Sequence, residues 1–170
     1  MMSDEKLANL IGSLNQISHI RLLRIHSRLL SVLPERVNPS FIATLSAFRG
    51  RVVFVTHINH PNEISGHNRR AFQQLSQQGH TLFNQSVLLK RVNDSPLVLA
   101  ELSSRLFEAS VQPYYLHRLD KVQGAAHFDL GVQDCRTIYS ELRRRLPGYL
   151  LPLLVEENAG QKSKTAIHCD

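Results

Sequence analysis

Cysteine is almost missing from this sequence: 170 residues contain two, Cys135 and Cys169. That count leaves no disulfide framework. It also leaves no iron–sulfur or metal centre that draws several thiolates from this chain. Long apolar runs are missing too, and none approaches the roughly 20 residues of a membrane-spanning helix. The first residues, Met1 to Lys6, are polar and form no signal-peptide core. The expectation is therefore a cytoplasmic protein with no membrane partner. Linkers, internal repeats and low-complexity segments are absent, although the polar tail from Glu156 is short of core residues and its end reads as flexible.

What is present suits one globular domain. Hydrophobic residues make up 42% and charged residues 20%, enough apolar material for a core at this length. The formal net charge is +6, but the basic residues are scattered. The one tight cluster, Arg143-Arg144-Arg145, falls near the end of an expected helix, where it complements the helix dipole. No nucleic-acid partner is expected from it.

Four short apolar runs begin at residues 21, 51, 81 and 112, a spacing that fits consecutive βα units. They are Arg21–His26, Arg51–His57, Thr81–Ser86 and Gln112–His117. Helices are expected over about 4–17, after Asn38-Pro39, over 66–78 with Gly79 as the stop, after Asp94-Ser95-Pro96, and over 132–146 before Pro147-Gly148. In the fourth of these, Leu97, Leu99, Ala100, Leu102, Leu106 and Phe107 are expected to face inward. A last apolar run, 149–155, offers one further strand. The pattern argues for an α/β fold with a parallel sheet wrapped by helices. Four units are too few to close an eight-stranded barrel.

Ligands of parallel α/β folds gather at the C-terminal ends of the strands. Those ends are polar in all four runs: His26-Ser27-Arg28, Thr56-His57-Ile58-Asn59-His60, Asn84-Gln85-Ser86, and His117-Arg118-Leu119-Asp120-Lys121. Each residue also has a purely structural use. His57 and His60 can satisfy buried carbonyls, Asn84 and Gln85 can bond loop backbone, and Asn93-Asp94 can make a turn and helix cap. A metal-dependent hydrolase built on His26, His57, His60 or Asp120 is one reading of this edge.

Five separated words are more specific. Thr56-His57-Ile58-Asn59-His60, Asn84-Gln85-Ser86-Val87-Leu88-Leu89 with Val92-Asn93-Asp94, Pro113-Tyr114-Tyr115-Leu116-His117, Leu119 to Phe128, and Ser163-Lys164-Thr165 together resemble the lysine 2,3-aminomutases, in the same order and from near residue 1 to near residue 167. The form Asp120-Lys121-Val122-Gln123-Gly124-Ala125-Ala126-His127-Phe128 resembles the branch that makes β-lysine for elongation factor P. The resemblance implies an isomerase that moves an amino group from C2 to C3 of lysine. It implies a radical S-adenosylmethionine fold, a partial (βα) half-barrel, of which 1–148 would hold the third to sixth units, about four of them. Residues 149–170 would form a C-terminal segment carrying the pyridoxal-phosphate lysine.

The cofactors implied are pyridoxal phosphate, S-adenosylmethionine and a 4Fe-4S cluster. The family's three-cysteine motif and its Gly-Gly-Asp-Pro motif are not in this sequence, so the chain alone is expected to be inactive, as a fragment or a non-catalytic remnant. Lys164 matches the lysine that bonds pyridoxal phosphate, with Lys162 a near competitor and a single glycine, Gly160, in the run before it. Asp120 matches an acidic residue that holds an amino group of lysine, and Glu157 stands where the lysine-fermenting branch has a second one. His57, Asn59, Gln85 and Ser86 are the candidates for contacts with S-adenosylmethionine. Removal of two strands ahead of Arg21 would leave an open sheet edge, which invites a homo-oligomer.

Overall fold

The structure is a computed structural model, and it describes residues 2–158 and 160–169. Among these residues the helices of the α type and the strands follow in the order α1 (Asp4–Asn15), β1 (Leu22–His26), α2 (Leu29–Val32), α3 (Pro39–Ser46), β2 (Arg51–Thr56), α4 (Gly66–Gln77), β3 (Thr81–Leu88), α5 (Pro96–Glu108), β4 (Gln112–Arg118), α6 (Val132–Arg143), β5 (Leu153–Glu156) and β6 (Thr165–Ala166). The sheet runs β1-β2-β3-β4-β5-β6 in sequence order. The first five strands are mutually parallel, and β6 pairs antiparallel with β5 through Val155–Ala166 and Glu156–Thr165.

Local chemistry sets the element boundaries. Ser3 caps α1 by accepting from the Lys6 N–H at 3.3 Å, and Asn38 caps α3 by accepting from the Phe41 N–H at 2.9 Å, with Pro39 opening the helix. Ser65 and Asn68 cap α4 reciprocally. Gly79 follows α4 at φ +79°, the left-handed conformation that ends a helix cheaply only at glycine. Gly50 serves a different need. A Cβ there would lie 2.3 Å from the Arg21 carbonyl oxygen, which accepts the Arg51 N–H at 2.9 Å and starts the β1–β2 ladder.

The period of two along each strand divides the sheet into two faces. Leu23, Ile25, Val52, Phe54 and Leu82 pack with α1, α3 and α4 residues such as Ile11, Phe41, Leu45, Phe72 and Leu75 into one core. Leu88, Leu116 and Leu154 pack with Leu99, Cys135 and Leu142 into a second. The alternate residues, Arg24, His26, His57, Gln85, Tyr115, His117 and Glu157, fall on the opposite face.

Three expectations are corrected. Leu97 and Phe107 do not face the core; they are 67% and 49% exposed, because α5 buries the narrower stripe of Leu99, Leu102, Ser103 and Leu106. The run 149–155 supplies the further strand only at its end: Gly148–Leu150 is a 3-10 turn, Tyr149 is exposed, and β5 starts at Leu153. Asn93 is not a helix cap but a fully buried amide, and Ser95 holds the cap position of α5.

Candidate functional site

The polar face of the sheet carries an open pocket of about 700 Å3, lined among others by Arg24, His26, Gln85, Tyr115, Glu157 and Lys164. Strand alternation explains the first five. Arg24 and His26 are two apart on β1, and Tyr115 and His117 are two apart on β4 with ring centroids 5.7 Å apart. At the end of β5 the same rule separates two adjacent acids. Glu156 points to the helix side and pairs with Arg118 at 3.5 Å, while Glu157 points into the pocket.

Lys164 reaches the pocket from the other direction. The chain leaves β5, turns through Gly160 at φ +82°, and returns as β6, whose pairing with β5 fixes the position just before Thr165. The Lys164 ammonium forms an ion pair with the Glu157 carboxylate and lies 5.6 Å from the centroid of the Tyr115 ring. Both contacts favour a cation at that point. Tyr115 is itself held by its neighbour: the Tyr114 and Tyr115 hydroxyls share a hydrogen bond at 3.0 Å, and Tyr114 packs on Phe83 with ring centroids 5.0 Å apart.

The pocket is electrostatically biased against protonated imidazoles. Burial, then the charges of Arg24, His57 and Lys164, hold the His26 pKa below its ordinary value. Burial, then Arg28 and Lys164, do the same to His57. For His117 burial and Lys164 outweigh the opposing carboxylates of Glu157 and Asp120. Glu157 is held below the usual carboxylate range, first by its hydrogen bond from Lys164. Tyr115 is pushed up, first by its hydrogen bond with Tyr114 and then by burial. The result is an amine, an aromatic face, neutral donors and Arg24 around one open space.

Among the residues singled out from sequence, Lys164, Glu157 and Gln85 line this pocket, and the competitor Lys162 lines it too. His57 adjoins it, with its ring 6.2 Å from that of His26. Asp120 lies in the loop after β4 and lines a separate recess of about 430 Å3. Asn59 and Ser86 are engaged elsewhere. Ser86 donates to the Ile58 carbonyl at 3.0 Å, and the Asn59 side chain accepts from the Val87 N–H at 2.8 Å. They belong to a buried amide network. Asn84 accepts from the Ile58 N–H and donates to the Ile58 carbonyl, and Asn93 donates to the Asn59 and Val87 carbonyls. That network fixes the loop after β2 against β3. His60 is spent similarly, accepting the Asn62 N–H at 3.2 Å. Among the described residues no group of three or more His, Cys, Asp or Glu could hold a metal ion.

Arg24, Tyr115 and His117 are not among the cofactor and substrate candidates that the sequence singles out, although His117 stands among its polar strand ends. For Arg24 the available signal was its position two before His26 on a strand; for Tyr115 and His117 it was their place in the word Pro113–His117.

The donor set decides which cofactors this chain can hold. A lysine amine facing an open polar pocket, with an aromatic ring beneath it and Arg24 on the wall, fits pyridoxal phosphate. An iron–sulfur cluster does not fit. Cys135 lies on the buried face of α6, its thiol pushed up to about 11 by burial, and Cys169 donates to the Ile167 carbonyl away from the pocket.

The architecture has known counterparts. It resembles Streptococcus suis SuiB, solved bound to S-adenosylmethionine, with a TM-score of 0.59 over 90% of this chain and 36% of that one at 14% identity. A radical SAM methyltransferase from Sphaerobacter thermophilus superposes with a TM-score of 0.51 over 80% of this chain and 40% of that one at 17% identity. The fold is thus a partial βα barrel of the radical S-adenosylmethionine type.

Sequence comparison is more specific. The chain is 48% identical to the L-lysine 2,3-aminomutase of Haemophilus influenzae over 165 residues, 97% of this chain and 49% of that protein. It is 46% identical to that of Escherichia coli over 98% of this chain and 49% of the relative. It is 39% identical to that of Clostridium subterminale over 98% and 40%. The chain belongs to the L-lysine 2,3-aminomutase family. It spans about half the length of the curated relatives it matches, consistent with their C-terminal part. No family model matches the chain. No helix among the described residues is long and apolar enough to cross a membrane.

Proposed function

We propose that this chain is the lysine-bearing half of a lysine 2,3-aminomutase, and that the complete enzyme converts lysine to β-lysine for the modification of elongation factor P. The observation that carries the reading is the placement of Lys164 beside Glu157 on the polar face of a radical S-adenosylmethionine-type sheet. Residues 149–170 would be the segment that brings this lysine to the strand ends of 1–148.

Pyridoxal phosphate, when bound, supplies a conjugated ring that delocalises electrons from the substrate nitrogen. The chain's own residues would do the rest. Lys164 would hold the cofactor through its amine. Tyr115 presents a ring face against which a planar cofactor can lie, and Arg24 offers a guanidinium to an anionic group. Glu157 would take the ammonium of substrate lysine, with Asp120, in the loop after β4, as a second acid. For S-adenosylmethionine, Gln85 and His57 remain the direct candidates, while Asn59 and Ser86 would act by holding the loop after β2 in place. The iron–sulfur site is not supplied by these residues, and the chain by itself should not cleave S-adenosylmethionine.

Two measurements test this reading. Borohydride reduction in the presence of pyridoxal phosphate, followed by peptide mapping, should label Lys164; Lys164→Ala should abolish the label and Lys162→Ala should keep it. A label centred on Lys162 or outside residues 156–166 refutes the assignment. Iron and sulfide reconstitution followed by a 5′-deoxyadenosine assay should give no product above an untreated control.

A further inference from the structure

The end of the sheet where the parallel strands begin carries a second opening, of about 540 Å3, between Arg21, the turn from α3 into β2 and the turn after α4. Gly50 brings its three arginines together. A Cβ there would collide with the Arg21 carbonyl, so only glycine lets the backbone of Arg49 and Arg51 close on Arg21, whose carbonyl accepts the Arg51 N–H at 2.9 Å. All three arginines are exposed. Among the described residues none of them forms an ion pair, and no acidic residue lines the opening. The Arg49 guanidinium donates to the Ile17 carbonyl and keeps its remaining N–H groups.

Helix ends explain part of this charge and leave the rest over. α3 and α4 turn their last carbonyls to this side, and two helix C-termini carry about one negative charge between them. Three guanidiniums exceed that. The inner wall has a different chemistry. Leu45, Phe48 and Val52 are buried and apolar, and His80 is the buried polar side chain beside them, 9% exposed. Its ring stands edge-on to Phe54 with centroids 6.2 Å apart, and its Nε2 has no hydrogen-bond partner. Burial holds the His80 pKa below its ordinary value, so near neutral pH the ring is uncharged and carries one proton to donate. A buried nitrogen without a partner is uncommon, and it is available to an acceptor that enters the opening.

A cleft with charge of one sign at its mouth concentrates the opposite ion. Guanidiniums match the oxygens of phosphate in pairs, and three of them around one opening suit the double charge of a phosphate better than the single charge of a carboxylate. The apolar wall suits an uncharged body attached to that anion, and the volume is that of a small-molecule site. We propose that this opening binds a phosphate-bearing small molecule, with the phosphate on Arg21, Arg49 and Arg51, the uncharged part against Phe48 and Val52, and His80 as an inner donor. The site lies at the other end of the strands from Lys164 and rests on no role given to that residue.

The test is titration of the chain with pyrophosphate and with adenosine diphosphate at low ionic strength, read by calorimetry and by NMR shifts of backbone amides and histidine rings. Both probes should bind saturably, and the shifts should centre on residues 46–51 and 78–80, the His80 ring among them. Arg21→Gln combined with Arg51→Gln should weaken both by at least about tenfold. Both side chains are exposed, so the fold should persist, with an unchanged circular dichroism spectrum as the check. Arg144→Gln combined with Arg145→Gln removes the same charge from α6 and its end, and should leave both affinities within about twofold. Equal losses in the two arginine pairs overturn the proposal, as do shifts centred on Arg24 and Lys164. Saturable binding of pyrophosphate alone overturns the small-molecule assignment, and no saturable binding of either probe overturns the site.

Discussion

Glu157 and Lys164 stand seven residues apart, and their carboxylate and ammonium meet across the turn that reverses β5 into β6. The acid proposed to hold the substrate's ammonium thus holds the chain's own lysine.

Glu157→Gln should therefore separate stability from ligand binding. Glu157 is half exposed, and exposed ion pairs contribute about 0–1 kcal/mol, so the melting temperature should barely move. A charge-assisted hydrogen bond to a ligand is worth about 1.5–3 kcal/mol, so the affinity of the pyridoxal-phosphate-loaded protein for lysine should fall at least tenfold. Thermal unfolding and a lysine titration on the same preparation check both; equal affinities would remove Glu157 from the site.

Stability should fall on mild acidification. His80 and His117 have pKa values lowered mainly by burial, so the unfolded chain binds protons that the folded chain refuses. Their contribution is complete above about pH 6.5, the ordinary histidine value, and is lost as the pH falls from there toward the depressed folded values. The melting temperature should decline between about pH 7 and pH 5. His80 shows the cleaner case, since its Nε2 is buried without a partner and no charge opposes the shift. His80→Leu should flatten the decline, and an unchanged slope would contradict this account.

Asn84→Ala should destabilise the fold by about 1–3 kcal/mol, because it leaves the buried Ile58 N–H without its side-chain partner, while the Ile58 carbonyl keeps only Ser86. The loop carrying His57 should loosen with it. Urea unfolding reads the first effect and amide exchange over residues 57–60 the second.

Gly50→Ala should cost at least about 1–3 kcal/mol, since the new methyl would fall 2.3 Å from the Arg21 carbonyl oxygen, which cannot swing away without breaking its bond to Arg51. Gly12→Ala, with open space around its Cβ position, is the control and should be neutral or stabilising.

The central strands were readable from sequence because their signals are local. Arg51–Thr56 and Thr81–Leu88 are apolar runs between caps, and Gly66–Gln77 carries its own start at Ser65 and stop at Gly79. The division of each strand into a helix-facing and a pocket-facing set also follows from the period of two. The outward turn of Leu97 and Phe107 could not be read, because a helical stripe gives spacing but not the width of surface its neighbours cover.

By itself the sequence determined the α/β class, the family, and the gathering of polar residues at the strand ends, each through local pattern and word order. Tertiary structure alone decided which of those polar residues share a space. Asn59, Asn84, Ser86 and Asn93 look as ligand-capable in the sequence as Gln85, but the backbone of residues 58–59 and 87–89 converges on them and consumes their hydrogen bonds. Lys164 and Lys162 differ by two positions in a polar tail. Only the antiparallel pairing of β6 with β5 brings Lys164 onto Glu157 and the Tyr115 ring. The reason is physical: a side chain's chemistry is written in its identity, while its partners depend on contacts between segments that the chain order does not bring together.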